Sequence, residues 1–185
     1  KKILVLCTGN SCRSQLAHGY LESFAAEKAI VYSAGVETHG VNPKAIAIMK
    51  EDGIDISYNT SNNVLEYQDI AMDFVITVCD NAKERCPYFP TEAKKFHYNF
   101  PDPAKATGTE EEIMDQFRSV REMIKQYCAD FIKENLWSQA LEGDNGIGYI
   151  YSMKPQTFLS FTLLMLLQFN GVAQSTIASK PNIIF

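Results

Sequence analysis

The sequence lacks the excess of basic residues that nucleic-acid-binding proteins carry. Its 185 residues include 17 Lys and Arg against 22 Asp and Glu, which gives a net charge of −5. No basic stretch alternates with aromatic residues, as binding to a phosphate backbone would require. The composition therefore argues against nucleic acid as a partner. A hydrophobic content of 46% is ordinary for a globular domain.

The N-terminal residues contain no secretory signal, and the number of cysteines, 5, is odd. Because extracellular disulfide frameworks pair their cysteines, both features predict a reducing, cytoplasmic location and cysteines that act as thiols. Cys79 and Cys86 have a spacing that does not fit a structural zinc site, which uses cysteines two to four residues apart. We therefore predict no metal site.

The spacing of Cys79 and Cys86 also bears on whether they can form a disulfide. In one continuous helix their α-carbons would lie about 10 Å apart. A disulfide needs roughly 4.4–6.8 Å. The pair is either inert or belongs to a segment that changes shape when it oxidises, and the spacing alone leaves both alternatives open.

Strand-like and helix-like segments alternate along the first 137 residues. Short apolar runs bounded by turn residues predict four strands, at residues 1–6, 29–35, 73–78 and 94–99. Apolar residues at helical spacing predict three helices, at residues 14–28, 42–53 and 109–136. This order predicts a single α/β domain with a mostly parallel four-stranded sheet covered on both faces by helices.

The character of the sequence changes after Trp137. Residues 138–152 resemble a linker, and the apolar run that follows, residues 158–169, is too short and too polar for a membrane span. Residues 153–185 contain the parts of a secretory signal, and the closing "KPNIIF" resembles the first strand of sulfatases. We expect this tail to be the start of a different protein, joined by a sequence or gene-model accident. A tail anchor and an additional packed helix are the alternatives.

The stretch "LCTGNSCRS", residues 6–14, joins the first strand to the first helix. A glycine-containing loop before a helix presents N–H groups that bind anions, at the sheet edge where ligands bind in open parallel sheets. Cys7 and Arg13 are spaced as Cys-x5-Arg, which lets the loop wrap around a tetrahedral oxyanion. The residues expected to contact that oxyanion are Thr8, Gly9, Asn10, Ser11, Cys12 and Arg13. We expect the N–H groups to lower the pKa of the Cys7 thiol, and Ser14 to hydrogen-bond its thiolate.

The segment "CTGNSCRSQ" resembles the active-site loop of the low-molecular-weight phosphatase superfamily. The stretch from Lys2 to about Trp137 resembles its arsenate reductase branch, through "VYSAGVETHGVNPKAI", "GIDIS", "NTS", "FPDPAKATGTEEE" and the cysteine pair at 79 and 86. This resemblance implies a flavodoxin-like sheet, a monomer, no organic cofactor, arsenate as the substrate and thioredoxin as the reductant.

The resemblance also implies a role for each reactive side chain. Cys7 attacks arsenate, and Asp102, in "NFPDPA", protonates the oxygen that leaves. Cys79 then attacks Cys7 and expels arsenite, after which Cys86 attacks Cys79. The segment must unwind to satisfy the geometry of that final disulfide, which would present it to thioredoxin.

Two other functions compete with arsenate reduction. A protein tyrosine phosphatase would use the same loop, but that branch carries tyrosines after the Asp-Pro, where this sequence has "AKA" at 104–106. A non-catalytic oxyanion or thiol sensor would not need Cys7, Arg13 and Asp102 together. Weak phosphatase side activity remains compatible with the loop, because phosphate and arsenate share a shape.

Potassium is the one ion that the resemblance brings into question. Many relatives place a glutamate and an aspartate near the loop where this sequence has His18 and Asn62. Since a hard cation prefers anionic oxygen ligands, we expect potassium to matter little. Cys128, His39 and His97 are expected to be structural, and Cys12 to pack within the loop.

Overall fold

Four short parallel strands form the central sheet. The computed structural model describes residues 1–79 and 92–137. Its strands are β1 (Lys2–Cys7), β2 (Ile30–Gly35), β3 (Phe74–Thr77) and β4 (Lys94–His97). They are ordered β2-β1-β3-β4, and every neighbouring pair is parallel. The predicted α/β class with a parallel four-stranded sheet is confirmed. The linker, the tail and Cys86 lie outside the described residues.

The apolar side chains of β1 pack on both faces of the sheet. Side chains alternate along a strand, so Ile3 and Val5 enter one hydrophobic cluster while Leu4 and Leu6 enter another. All four are almost completely buried. A strand buried on both faces reads as a continuous apolar run, which is why residues 3–6 show no polar alternation.

In the described part of the chain, three α-helices pack on one face of the sheet, the face of Ile3 and Val5. They are α1 (Arg13–Ala25), α2 (Pro43–Glu51) and α3 (Glu110–Ile132), which continues as a π-helical turn, Lys133–Trp137. In the described part of the chain, the opposite face is covered by a 3₁₀ turn, Val64–Tyr67, and its neighbours. Among the described residues, no α-helix contributes to that second cluster, whereas the sequence predicted helices on both faces.

The helix boundaries follow their capping residues. Asn42 caps α2 by accepting a hydrogen bond from the N–H of Lys44, and Thr109 forms a capping box with Glu112 at the start of α3. The first helix ends at Ala25 rather than at residue 28, because Ala26 has a φ of 48° and begins a 3₁₀ turn. No helix in residues 1–79 and 92–137 is long and apolar enough to cross a bilayer.

The apolar residues whose helical spacing predicted α3 face the sheet. Phe117, Val120, Ile124 and Phe131 are buried, and Ile113 and Tyr127 pack partly buried against the same cluster. β1 runs one residue further than predicted and ends at Cys7. The loop that joins β1 to α1 therefore lies at the carboxyl edge of the sheet.

Candidate active site

The loop from Thr8 to Cys12 turns its carbonyl groups away from the centre of the site. The carbonyls of Thr8, Gly9 and Ser11 accept hydrogen bonds from the N–H groups of residues 37, 39 and 42, at 2.9–3.0 Å. Because a trans peptide points its N–H opposite to its carbonyl, the amide N–H groups of the loop face the other side. The loop thus forms the concave array of donors that binds anions.

Gly35 allows this close approach between the loop and the segment after β2. A Cβ at this position would lie 2.3 Å from the carbonyl oxygen of Glu37, 2.6 Å from that of Thr8 and 2.8 Å from the amide nitrogen of Asn10. No side chain fits there. The glycine that ends the second predicted strand is therefore required by the shape of the loop.

Cys7 lies at the base of this array and makes two hydrogen bonds. Its Sγ is 2.9 Å from the Oγ of Ser14 and 3.1 Å from the amide nitrogen of Asn10. Asn10 also donates from Nδ2 to the Oγ of Ser14, at 3.0 Å. These contacts match the predicted contact between Ser14 and Cys7, and they show that Asn10 lies behind the loop rather than on its open side.

The pKa of the Cys7 thiol is raised above its ordinary value, mainly because the side chain is buried. The hydrogen bonds from Ser14 and Asn10 act in the opposite direction, and the neighbouring Cys79 raises the pKa further. The expected lowering is wrong in its net direction: the cradle stabilises the thiolate, as predicted, but removal from water outweighs it. Sequence patterns cannot weigh these two effects, because burial depends on the whole fold.

A cavity of about 560 Å³ opens above Cys7. Among the residues predicted to contact the oxyanion, Thr8, Gly9, Ser11, Cys12 and Arg13 line it. Cys79 follows β3 and lines the same cavity, with its Sγ 3.4 Å from the Oγ1 of Thr8. The two thiols of residues 7 and 79, distant in sequence, thus share one compartment.

Arg13 and Asp102 meet at the wall of this cavity. The Nη2 of Arg13 is 3.0 Å from the Oδ2 of Asp102, and its Nη1 donates to the carbonyl oxygen of Phe100, at 3.0 Å. A guanidinium has five N–H donors, so these contacts leave donors for a bound anion. Lys105 adds a second basic side chain to the lining. The predicted oxyanion ligand and the predicted general acid are thus adjacent.

Cys12, the third cysteine of the cavity, lies in a different electrostatic environment. Burial and the charge of Asp102 raise its pKa to about 12, against a smaller lowering by Arg13. Its thiol therefore stays protonated near neutral pH. Cys128, as predicted, is buried in α3, with its Sγ 3.8 Å from the carbonyl oxygen of Ala17.

Two residues next to the loop, His39, expected only to be structural, and Gln15, were not predicted as part of the site. The ring of His39 packs so closely on Gly9 that a Cβ there would lie 2.5 Å from its Nδ1, and His39 lines the cavity. Gln15 is completely buried and hydrogen-bonds Asn10. A polar residue on the buried side of α1 is a signal that could have drawn attention to Gln15.

His18 and Asn62 line a separate cavity of about 260 Å³, together with Glu22. The Nδ1 of His18 lies 3.0 Å from the Oγ of Ser33. Burial lowers the pKa of His18, and the charge of Glu22 opposes that effect. His18, with a largely neutral imidazole, and Asn62, with an amide, thus occupy the two positions where many relatives carry carboxylates that would bind potassium.

The family model of low molecular weight phosphotyrosine protein phosphatase matches residues 2–142, and the chain belongs to this family. A curated arsenate reductase from Oceanobacillus iheyensis is 47% identical over 133 residues, which are 72% of this chain and 96% of the relative. The chain therefore spans nearly the whole length of this relative.

Solved structures show the same fold. One described as an arsenate reductase in the phosphate binding state superposes with a TM-score of 0.62 at 34% identity, covering 72% of this chain and 98% of its own. The arginine phosphatase YwlE of Geobacillus stearothermophilus gives a TM-score of 0.63 at 25% identity, covering 79% and 99%. Both a reductase and a phosphatase are thus built on this architecture.

Proposed function

We propose that the protein reduces arsenate to arsenite through Cys7, Cys79 and Cys86 and is recycled by thioredoxin. The names of its relatives support the substrate. The observation that carries the proposal is the position of Cys79, which shares the cavity of Cys7 and touches Thr8. A phosphatase hydrolyses its cysteinyl intermediate with water and needs no second thiol at this place.

The first step forms a bond between sulfur and arsenic. The thiolate of Cys7 attacks As(V), the loop N–H groups and Arg13 bind the remaining oxygens, and one arsenic–oxygen bond breaks. Asp102, at the wall of the cavity, supplies the proton with which that oxygen leaves as water. Arsenic keeps its oxidation state in this step.

The second step transfers the electrons. The thiolate of Cys79 attacks the Sγ of Cys7, and the electron pair of the sulfur–arsenic bond passes to arsenic, so that As(V) leaves as arsenite. Cys86 then attacks Cys79 and releases the Cys7 thiolate. Two thiols have been oxidised to one disulfide, which balances the two electrons. The dithiol of thioredoxin returns Cys79 and Cys86 to thiols, and we expect the protein to act as a cytoplasmic monomer.

Phosphate ester hydrolysis is the second candidate function. Membership of the phosphatase family favours it. So does the size of the cavity, which exceeds that of a single tetrahedral oxyanion and leaves room for the rest of an ester. Against it, the residues after Asp102 are Pro103, Ala104 and Lys105, which provide no aromatic wall for a phosphotyrosine ring. We expect at most a weak hydrolytic side activity.

The two functions are separated by supplying arsenate, thioredoxin, thioredoxin reductase and NADPH to the purified protein. We expect about one NADPH to be consumed per arsenite formed, because the relay delivers two electrons. Cys7→Ser should abolish this activity and p-nitrophenyl phosphate hydrolysis, whereas Cys79→Ser should abolish only the former. Cys128→Ala, which removes a buried thiol outside the cavity, is the matched control. If the wild type forms no arsenite but hydrolyses phosphotyrosine efficiently, the phosphatase function is correct.

A further inference from the structure

We propose that Gln15 is a positioning residue that holds Asn10, so that the two donors of Asn10 point at the Sγ of Cys7 and the Oγ of Ser14. The benefit to catalysis rests on the proposed function, in which Cys7 is the nucleophile. The geometry itself holds for either a reductase or a phosphatase.

The amide of Gln15 ties together two segments that meet behind the loop. Its Nε2 donates to the carbonyl oxygen of Asn10 (3.1 Å), to the Oδ1 of Asn10 (3.2 Å) and to the carbonyl oxygen of Thr60 (3.0 Å). Its Oε1 accepts from the Nδ2 of Asn59, at 3.0 Å. Since Nε2 faces three oxygens and the side chain is fully buried, a carboxylate or an apolar side chain cannot replace this amide without loss.

Asn10 needs such support because its backbone is in a sparsely populated conformation. Its φ of 43° lies in the left-handed region, which non-glycine residues rarely adopt. The N–H of Asn62 also donates to the Oδ1 of Asn10, at 2.8 Å. Together, Gln15 and Asn62 fix Oδ1, and this fixes Nδ2 of the same amide toward Ser14. A strained backbone conformation of this kind persists only where contacts with the surrounding structure hold it in place.

The chain of contacts from Gln15 to the sulfur has two branches. One passes through the backbone of Asn10, whose N–H donates to Cys7, and the other passes through its side chain and Ser14. Without Gln15, the peptide and the side chain of Asn10 can rotate away. Both donors to the thiolate would then weaken, although Gln15 itself never touches Cys7.

The test measures the ionisation of Cys7 directly, by the rate of iodoacetamide alkylation as a function of pH in the absence of arsenate. In Gln15→Met, the midpoint should rise by roughly half to one pH unit, which is a three- to tenfold slower reaction near neutral pH. Tyr20→Phe is the control, since it removes a different, partly buried hydrogen bond of α1, from Tyr20 to Asp52. It should leave the midpoint of Cys7 unchanged.

A cycle with Asn10→Gly tests whether Gln15 acts through Asn10. Glycine accepts the positive φ but removes the side-chain branch, so the effect of Gln15→Met should fall by about half or more in that background. Should Gln15→Met lack a cooperative thermal transition, Gln15→Asn, whose shorter amide cannot span the same partners, takes its place. An unchanged midpoint in the folded variant, or equal shifts in both backgrounds, would overturn the proposal. Since no arsenate is present, neither outcome bears on the proposed function, which the arsenite assay tests separately.

Discussion

Removing the hydroxyl of Ser14 should make the Cys7 thiol markedly harder to ionise. Ser14 lies 2.9 Å from the sulfur, and its hydrogen bond is the largest influence that lowers the Cys7 pKa against the effect of burial. A hydrogen bond to a charged group is worth about 1.5–3 kcal/mol, which corresponds to a rise of about one to two pKa units in Ser14→Ala. Near neutral pH, where the thiol form dominates, the thiolate fraction should fall about ten- to hundredfold.

This prediction is checked by the pH dependence of Cys7 alkylation and of arsenate turnover. Cys7 and Cys12 share a tryptic peptide, so fragment-ion mass spectrometry is needed to follow Cys7, and Cys12 serves as an unreactive internal reference. Activity of Ser14→Ala should recover toward that of the wild type as the pH rises, because the defect lies in ionisation. Ser33→Ala, which removes a buried hydroxyl bonded to His18, should not shift the midpoint. An equal midpoint in Ser14→Ala, or a loss of activity that high pH does not restore, would refute the reasoning.

Three further predictions concern the acid, the ion and the tail. Asp102→Asn should lower kcat for arsenate by about 10²- to 10⁴-fold, as expected when a general acid is lost. The KM should not rise, because the substitution releases Arg13 from its ion pair with Asp102. A change in KM alone would contradict the role of Asp102 as the acid. Replacing potassium by a large organic cation at constant ionic strength should change the KM for arsenate by a few-fold at most, since His18 and Asn62 offer no carboxylate. A large, potassium-specific effect would show that other groups build the site. A protein ending at Trp137 should fold and turn over like the full chain, because the main hydrophobic cluster already includes Leu136, next to that end. A lower melting temperature than that of the full chain would place the tail within the domain.

The elements of the fold were predictable because their signals are local. The apolar run of residues 3–6, the Asn-Pro start of α2 and the pairing of Thr109 with Glu112 each specify a strand or a cap without reference to distant residues. The ends of elements were less predictable. Nothing in the sequence indicates that Ala26 adopts a positive φ and ends α1 three residues early.

The candidate site was predictable where one motif contains it and unpredictable where the fold assembles it. Cys7, Arg13 and Ser14 lie in a single nine-residue stretch, so their proximity follows from the loop. The contacts of Gln15 with Thr60 and Asn59 join segments about 45 residues apart, at 3.0 Å. The raised pKa of Cys7 likewise comes from burial by the complete domain.

The central proposal is that electrons pass from thiol to thiol, and Cys86→Ser tests it most directly. Without Cys86, the first two steps can proceed, but nothing attacks the bond between Cys7 and Cys79 to release it. We expect a burst of about one arsenite per protein molecule, a Cys7–Cys79 disulfide in the mass map, and little further turnover with thioredoxin. Continued turnover of Cys86→Ser at the wild-type rate, with no such disulfide, would contradict the relay.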